Sequence, residues 1–454
     1  RTATLGARRH ELGGWGAPLG IELYADGLSV AMVATSCVVG LFVSLYARGY
    51  FTRPLAAFDS RREYFEQAHK RRYFWPLWLF LWASLHALFL SADLFNLYVT
   101  LELVGLAAVA LVALEGSEAL SAAMRYLLMT LVASMSYLLG VGLLYAHYGV
   151  LQLDQLGAAL EAGPAVWLAL ALMGTSLLAK TALFPLHFWL PSAHACSPTP
   201  VSAVLSGLVV TGGYYLLTRL WLELFTGMIP LEFASLITWL GMIAILWGSF
   251  QALVQESLKM LVAYSTVAQL GYLFLIFYPI AHGASAESAW SGGVYYAMSH
   301  AVAKAAMFMA AGTFVRALDS DEISSLRGTS WALRMNFFAF AMAGLTMMGL
   351  PPSGGFIGKW IIAQAAIEEG MWVIVFVVFA GGLLAAGYVL RVVKMAFVPA
   401  HEDVDVRPVP PSMQIAPFLL ALVSVFLGLV ARQPVAFLEI GAPLEGLLGL
   451  GGAP

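Results

Sequence analysis

The chain has 454 residues, of which 61% are hydrophobic and only 11% are charged. Soluble domains contain about 45–50% apolar and about 25% charged residues, so this composition excludes a soluble globular protein. The formal net charge is only −3, and the charged residues crowd into a few connecting segments, which gives no indication of a nucleic-acid partner. The composition predicts an all-α polytopic transmembrane helical bundle that contacts membrane lipids.

Twelve apolar segments are long enough to cross a bilayer, which requires about 20 residues per helix. In chain order they lie at 28–47, 75–92, 94–114, 124–146, 165–184, 200–224, 234–254, 258–280, 291–315, 333–365, 371–395 and 414–432. Lys and Arg are frequent in the loop after the first segment and in alternate loops beyond it. Because positively charged loops remain cytoplasmic, we predict that this loop is cytoplasmic and that both ends of the chain lie outside.

Proline interrupts the fifth and tenth segments, at Pro185 and at Pro351-Pro352. Proline removes a backbone donor, and non-helical backbone at membrane depth is tolerated only inside protein or beside a water-filled cavity. Paired broken helices at corresponding positions indicate two inverted five-helix repeats. The expected division is residues 1–74 for an N-terminal loop, one span and a basic cytoplasmic loop, 75–224 for the first repeat, 225–398 for the second, and 399–454 for a C-terminal span and tail.

Four basic side chains lie inside apolar segments, namely Lys180, His300, Lys304 and Lys359, and Glu102 is the only deeply placed acidic residue. A charge in hydrocarbon costs several kcal/mol, so such residues usually mark an ion or proton path. His300 and Lys304 are four residues apart and project from one helical face, where two bases disfavour simultaneous protonation. A purely structural pair between Glu102 and a lysine is the alternative.

Other polar residues have two open interpretations. Side chains of the eighth segment either line a water path or join helices, and they are Tyr264, Ser265, Thr266 and Gln269. His187 and His194 flank the first break, where an entry site and a loop-structural role are equally compatible with the sequence. His86 is equally open, and Arg219, near the outer end of its span, is predicted to snorkel.

No cofactor or metal site is predicted. The two cysteines, Cys37 and Cys196, are too few for a disulfide framework or a zinc site and are interpreted as incidental. Glycine-rich phosphate loops and nucleophile–base spacings are absent from the sequence.

Three motifs together resemble those of a known family. They are LAKTALFPLHFWLPSAH from Leu178 to His194, SHAVAKA from Ser299 to Ala305, and GLPPSGGFIGK from Gly349 to Lys359. They resemble the antiporter-like subunits of respiratory complex I, membrane-bound hydrogenases and Mrp-type multisubunit sodium/proton antiporters. The opening residues 13–29 and the Gly-Lys that ends at Lys359 are most similar to the D-type subunit of Mrp antiporters, whereas residues 194–202 are more similar to the hydrogenase and complex I versions.

The resemblance implies a fourteen-span fold of which this chain matches the third to fourteenth spans. It implies that Glu102 is the essential glutamate, that Lys180 and Lys359 are the lysines of the two broken helices, and that His300 and Lys304 are the basic pair between them. The family usually carries a base where this sequence has Thr211, and threonine cannot store a proton. Either water together with Tyr214 or Tyr215 would then bridge the two halves, or the connection would be supplied by other groups.

These features predict a proton-conducting subunit of a multisubunit cation/proton antiporter, similar to the Mrp D-type subunit. It would be a multi-pass protein of a prokaryotic inner membrane, with other membrane subunits as partners and H⁺ and Na⁺, or another monovalent cation, as the transported ions. The alternatives are a proton-pumping subunit of a redox-driven complex with NADH:quinone oxidoreductase or hydrogenase partners, a subunit of an inorganic-carbon transporter, and a structural scaffold.

Overall fold

A computed structural model describes residues 6–16, 20–52, 60–225, 227–283, 285–400 and 405–442. Two short antiparallel strands, β1 (Arg8–Glu11) and β2 (Glu22–Ala25), precede the first helix, α1 (Gly27–Tyr50). Asp26 caps this helix, because its carboxylate accepts a hydrogen bond from Ser29 N at 2.8 Å while Ser29 Oγ accepts one from Asp26 N at 2.9 Å. This reciprocal cap satisfies two donors that the helix leaves free.

The first repeat forms a continuous series of helices. They are α2 (Arg61–Leu90), α3 (Leu94–Ala113), α4 (Ser117–Tyr148), α5 (Leu153–Ala159), α6 (Pro164–Lys180), α7 (Leu190–Cys196) and α8 (Thr199–Leu224). Helix α2 starts well before the predicted boundary at residue 75, because its first turns are polar and extend beyond the apolar segment. Helix α8 contains two π-helical turns, Leu205–Val209 and Leu220–Leu224.

The second repeat also has five spans, but its short additional helix follows the second span instead of the third. It contains α9 (Leu231–Val254), α10 (Leu258–Leu273), α11 (Phe277–His282), α12 (Ala286–Leu318), α13 (Arg334–Met348), α14 (Gly354–Glu368) and α15 (Trp372–Phe397). Helices α16 (Pro411–Leu429) and α17 (Arg432–Leu438) follow. In both repeats the fourth span is the broken one, as the sequence predicted.

Among the described residues, ten helices are long and apolar enough to cross a membrane. The two broken spans, α6–α7 and α13–α14, bring the number of spans in the described part of the chain to the predicted twelve. The predicted break in the segment 333–365 is confirmed, and it lies at residues 349–353 between α13 and α14. The four-part division of the chain stays a prediction.

Side chains donate hydrogen bonds to backbone carbonyls that the two breaks leave without a helical partner. At the first break, Trp189 Nε1 donates to the Ala179 carbonyl at 3.1 Å. At the second, Lys359 Nζ donates to the Met347 carbonyl at 2.6 Å. Gly349 has a φ of +77°, and a Cβ there would lie 2.8 Å from Lys359 Cδ, so only glycine allows this approach. The breaks are thus closed by protein groups at membrane depth.

The core follows the middle of the bundle. Every residue of α8 except Glu223 is buried, and α10 and α12 are nearly as enclosed, whereas α4 and α15 each expose an apolar face. Helix α8 therefore lies in the interior of the protein, between the two repeats.

Candidate functional site

The first polar cluster joins α3, α4 and α6. Lys180, the last residue of α6, is buried, and its Nζ lies 4.0 Å from Glu102 Oε2. Lys180 Nζ also donates to Thr130 Oγ1 at 2.7 Å, and Ser134 Oγ donates to Glu102 Oε2. The carboxylate and the ammonium group are therefore each held by a hydroxyl of α4, with a gap between them wider than a hydrogen bond.

A glycine on α3 makes this cluster possible. A Cβ on Gly105 would lie 2.7 Å from Thr130 Oγ1 and 3.7 Å from Lys180 Nζ. Any larger residue would therefore displace the hydroxyl that binds the lysine. A narrow cavity beside Lys180 is lined by Tyr126, Thr130, Gly105 and, from α8, Val209 and Gly213.

The second polar cluster is centred on Lys304 of α12. Its Nζ donates to Ser265 Oγ and, at 3.3 Å, to the Val262 carbonyl, both on α10. Lys304 is fully buried, and none of the ion pairs found among the described residues includes it. An ammonium group at this place is thus held by neutral oxygen atoms, which disfavours the charged form relative to a carboxylate-paired lysine.

Lys359 lies at the second break and has an aromatic environment. Besides the Met347 carbonyl, its Nζ faces the ring of Tyr272, with 3.8 Å to the centroid, and that of Tyr296 at 5.5 Å. The negative face of an aromatic ring attracts a cation, and this attraction is stronger in a desolvated site. Lys359 therefore has stabilising contacts for its charged form that need no carboxylate.

An amide connects the surroundings of Lys304 and Lys359. Gln269 Oε1 accepts a hydrogen bond from Tyr296 OH, and Gln269 Nε2 donates to Tyr388 OH at 3.1 Å. Tyr296 in turn contacts Lys359 through its ring and lies 6.2 Å, centroid to centroid, from the ring of His300. The structure therefore brings together the predicted residues Ser265, Gln269, His300, Lys304 and Lys359.

His300 has buried ring nitrogens without hydrogen-bond partners among the described residues, and the adjacent Ser299 Oγ is in the same state. Buried polar groups are normally paired, and an unpaired one is compatible with a catalytic role or with a bound water or ion. His300 has this property within one turn of Lys304, which makes water-mediated contact between the two chemically reasonable.

Helix α8 lies between the two clusters. A Cβ on Gly213 would lie 2.7 Å from Thr181 Oγ1, next to Lys180, and one on Gly207 would lie 2.7 Å from the Ala301 carbonyl, next to His300. Thr211, between these glycines, donates to the Gly207 carbonyl of its own helix at 2.8 Å. A different hydroxyl pair, Ser206 and Thr266 at 2.8 Å, joins α8 to α10.

The two tyrosines that follow Thr211 have different surroundings. Tyr214 OH is buried without a hydrogen-bond partner among the described residues, and it lies near α12, 2.7 Å from where a Cβ of Gly293 would be. Tyr215 OH donates to the Phe89 carbonyl at 2.6 Å and accepts from Arg219 Nη2 at 2.9 Å. Of the two, Tyr214 is therefore the one whose hydroxyl has no partner in the described part of the chain.

The prediction that Arg219 snorkels to the interface is wrong. Arg219 is buried and binds Asp26 through two hydrogen bonds, Nη1 to Oδ2 at 2.6 Å and Nη2 to Oδ1 at 2.9 Å, and it also pairs with Glu223. Burial raises the pKa of Asp26, but the Arg219 charge and the Ser29 hydrogen bonds outweigh it, so this pKa lies below its ordinary value. Because Asp26 neutralises its charge inside the protein, the Arg219 side chain does not have to extend to water.

The remaining predicted residues lie outside the two clusters. His194 is buried and its ring stacks on Phe308, one turn beyond Lys304, at 5.0 Å between centroids. His187 is half-buried and stacks on Phe184. Tyr264 is half-buried, and no hydrogen bond of its hydroxyl is found within the described part of the chain. His86 bonds Ser36 of α1 and so joins two helices.

Sequence reasoning missed Thr130, Ser134 and Gly105 in the first cluster and Tyr272, Tyr296 and Tyr388 in the second. Thr130 and Ser134 are four residues apart and therefore share a face of α4, which is a signal that the sequence contains. The tyrosines give no comparable pattern. Among the described residues, no group of three or more His, Cys, Asp or Glu side chains is arranged to hold a metal ion.

Residues 91–385 match the family described as NADH:quinone oxidoreductase/Mrp antiporter, transmembrane. The chain belongs to this family. It is 34% identical over 448 residues to NADH-quinone oxidoreductase subunit N of Desulforudis audaxviator, covering 97% of this chain and 84% of the relative. It is 29% identical over 399 residues to the D-type subunit of the Na(+)/H(+) antiporter of Bacillus subtilis, covering 87% of this chain and 77% of the relative.

Solved structures of membrane complexes share the fold. A chain of the Mrp complex from Dietzia has a TM-score of 0.86 at 22% identity, covering 99% of this chain and 90% of that one. A chain of respiratory complex I from Thermus thermophilus has a TM-score of 0.71 at 26% identity, covering 91% and 86%. The protein is thus an antiporter-like integral membrane subunit of a family found in multisubunit complexes.

Proposed function

We propose that this antiporter-like subunit conducts protons through a row of buried bases as part of a multisubunit cation/proton antiporter, in the manner of the Mrp D-type subunit. The observation that carries the proposal is the contact between Lys180 Nζ and Glu102 Oε2 at 4.0 Å, with one hydroxyl of α4 on each partner. This arrangement allows either partner to gain or lose a proton while both side chains stay in place.

The first cluster can couple two protonation events. When Glu102 accepts a proton, its charge no longer stabilises the ammonium group of Lys180, and burial then favours the neutral amine. Lys180 keeps its hydrogen bond to Thr130 in both states, because a neutral amine still has hydrogen atoms to donate. The proton that leaves Lys180 moves to water in the adjacent cavity, and no covalent bond to carbon changes.

The second cluster offers Lys304, His300 and Lys359 as successive carriers. Lys304 is held by Ser265 and the Val262 carbonyl, and Lys359 is held by the Met347 carbonyl and two aromatic rings. A proton transferred away from either lysine leaves neutral partners behind, so no buried carboxylate is stranded. His300 lies one turn before Lys304 on α12, and its buried ring nitrogens have no hydrogen-bond partner among the described residues.

The connection between the clusters runs past α8. Thr211 uses its hydroxyl proton within its own helix, whereas Tyr214 OH and the Ser206–Thr266 pair face the second repeat. We propose that water beside Tyr214 supplies the connection that a base provides in other members of the family.

The test is cation-driven proton flux in vesicles that contain the purified complex. Lys180→Met and Lys304→Met are each expected to lower the flux by about a hundredfold, because a positioned proton carrier contributes about that factor. Arg334→Gln, at an exposed base at the start of α13, serves as the control and should keep the flux. Wild-type flux in both lysine variants would contradict the proposal.

A redox-driven complex is the second candidate, because the chain is 34% identical to a protein named NADH-quinone oxidoreductase subunit N. In such a complex the same row of bases would be driven by electron transfer in partner subunits. Purification of the intact complex discriminates between the two. Iron–sulfur absorbance together with quinone-dependent proton uptake would favour the redox-driven complex, and sodium-driven proton flux without any redox centre would favour the antiporter.

A further inference from the structure

A groove of about 610 Å³ lies at the end of α15 that is predicted to be cytoplasmic. Three basic residues line it, Arg391 and Lys394 from α15 and Arg327 from the segment after α12. The other lining residues are apolar or glycine, and they are Gly387, Leu390, Val393, Met395 and Val398. The groove therefore combines a concentrated positive charge with an apolar floor.

The positive charge in this groove is not neutralised by any ion pair found among the described residues. Arg391 Nη1 donates to the carbonyls of Leu253 and, at 2.8 Å, Gln255 at the end of α9, which are uncharged acceptors. Arg327 Nε is buried and has no hydrogen-bond partner within the described ranges of the chain. Buried donors normally have an acceptor. The Arg327 Nε–H group is therefore a buried donor whose hydrogen bond is not accounted for by the described residues.

The groove continues into an exposed apolar stripe of α15. Leu390 and Leu383 are 57% and 76% exposed, and the exposed Gly387 between them has no side chain, with Leu253 Cδ2 of α9 3.0 Å from where its Cβ would be. From Lys394 to Leu383 the helix rises by roughly 16 Å at about 1.5 Å per residue. This length is close to half of the roughly 30 Å hydrocarbon core, so the stripe extends through about one leaflet.

We propose that this groove binds an anionic phospholipid, with the phosphate between Arg327 and Lys394 and an acyl chain along Gly387 and Leu390. The charge favours an anion, and the apolar stripe leading away from it favours a ligand with a hydrocarbon chain over a soluble phosphate. Anionic lipids are attracted to basic clusters at the cytoplasmic surface, and basic pockets between transmembrane helices bind lipid headgroups. The Lys and Arg distribution predicts this side to be cytoplasmic.

The lipid would act on the polar network of the second repeat. Arg391 attaches α15 to the last carbonyls of α9, and Tyr388, one turn earlier on α15, accepts from Gln269 of α10. A headgroup beside Arg391 fixes the end of α15 relative to α9 and so restrains the position of Tyr388. We therefore expect the proton flux of the wild-type protein to rise with the anionic lipid content of the vesicles.

The test uses the full chain, purified with the subunits that accompany it. Binding of phosphatidylglycerol and phosphatidylcholine is measured by native mass spectrometry on the wild type and on Arg327→Gln/Lys394→Gln. We expect the double variant to bind phosphatidylglycerol about thirtyfold more weakly, since each base near an anionic lipid contributes about a fivefold affinity. Arg48→Gln/Arg334→Gln removes the same charge from exposed positions on the same side and should change the affinity less than twofold.

Three results would overturn the proposal. One is equal affinity of the wild type for the two lipids, and another is unchanged phosphatidylglycerol affinity in the double variant. The third is inorganic phosphate, or an acidic segment of a neighbouring subunit, occupying the groove in place of lipid. Thermal unfolding of each variant verifies that it is folded, and Lys394→Gln alone, at an exposed side chain, provides the test if the double variant does not purify; it is expected to bind phosphatidylglycerol about fivefold more weakly.

Discussion

Arg219 and Lys180 are both buried bases that face a carboxylate, but the two contacts differ in length and geometry. Arg219 binds Asp26 through two parallel hydrogen bonds of 2.6 and 2.9 Å. Lys180 Nζ lies 4.0 Å from Glu102 Oε2, and one hydroxyl of α4 is hydrogen-bonded to the ammonium group and another to the carboxylate. A guanidinium bound through two hydrogen bonds keeps its proton and its geometry. A lysine that is also hydrogen-bonded to a neutral hydroxyl can change its protonation state. The comparison separates a pair with the geometry of a fixed structural contact from a pair for which we propose proton transfer.

The largest expected effect comes from breaking the Arg219–Asp26 pair, which we call the tight pair; Lys180–Glu102 is the loose pair. Arg219→Gln leaves Asp26 buried without its counter-charge, so we expect a loss of about 3–5 kcal/mol in the free energy of unfolding. Thermal unfolding in detergent measures it, and Arg219→Lys, which keeps the charge but not the bidentate geometry, should lose less. An Arg219→Gln protein as stable as the wild type would remove the structural interpretation.

The tight pair also has an acid limit. Because the folded protein lowers the pKa of Asp26, the stabilisation is fully present above the unfolded pKa of about 3.9 and is lost as the pH falls through the folded value. In Arg219→Gln the carboxyl group has no such advantage, so the stability difference between the two proteins should shrink in acid.

Breaking the loose pair should affect transport more than stability. Glu102→Gln is expected to lower proton flux by about a hundredfold while the unfolding temperature stays close to that of the wild type, because Lys180 can lose its proton and keep Thr130 as a partner. Glu115→Gln is the control, since Glu115 pairs with Lys70 outside the cluster and should leave the flux unchanged. A variant that unfolds instead of losing flux would make the two pairs equivalent.

A smaller effect is expected from the hydroxyl that separates Lys180 from a simple ion pair. Thr130→Val removes the 2.7 Å acceptor of Lys180 at nearly constant volume, and we expect a flux about tenfold lower. Thr100→Val is the matched control, because the hydrogen bonds of this buried threonine found among the described residues go to carbonyls of its own helix. Equal flux in the two variants would show that the hydroxyl of α4 has no role in transfer.

The smallest effect is expected at the position between the clusters. Thr211→Val should change the flux less than twofold, since the Thr211 hydroxyl donates to the Gly207 carbonyl of its own helix. Tyr214→Phe, which removes a buried hydroxyl that has no hydrogen-bond partner in the described part of the protein, should reduce the flux several-fold in the same assay. The reverse order of the two variants would assign the connection to Thr211.

The sequence predicted those parts of the fold that depend on local composition. Apolar length identified the spans, and the prolines at 185 and 351–352 located both breaks. Lys180, Glu102 and Lys304 were recognised because a charged residue inside an apolar segment can be identified from that segment alone. Their roles in proton transfer stay predictions.

Distant partners were not predictable in this way. Arg219 was misjudged because Asp26 is 193 residues away, and a single helix shows only its own neighbours. The tyrosines around Lys359 come from α10 and α12, and aromatic residues in spans are common enough that neither position indicates a cation site. Contacts between helices depend on which faces meet, and that information is not in the periodicity of either helix.

The enclosure of α8 has a consequence for the biogenesis of the protein. This helix carries Arg219 and Glu223 and has almost no surface that faces lipid in the finished structure. When it leaves the translocation machinery, the helices of the second repeat have not been synthesised, but α1 and Asp26 are already in the membrane. Pairing of Arg219 with Asp26 can therefore retain α8 beside the earlier helices until α10 and α12 arrive to cover it, so the order of synthesis matches the order in which its partners are required.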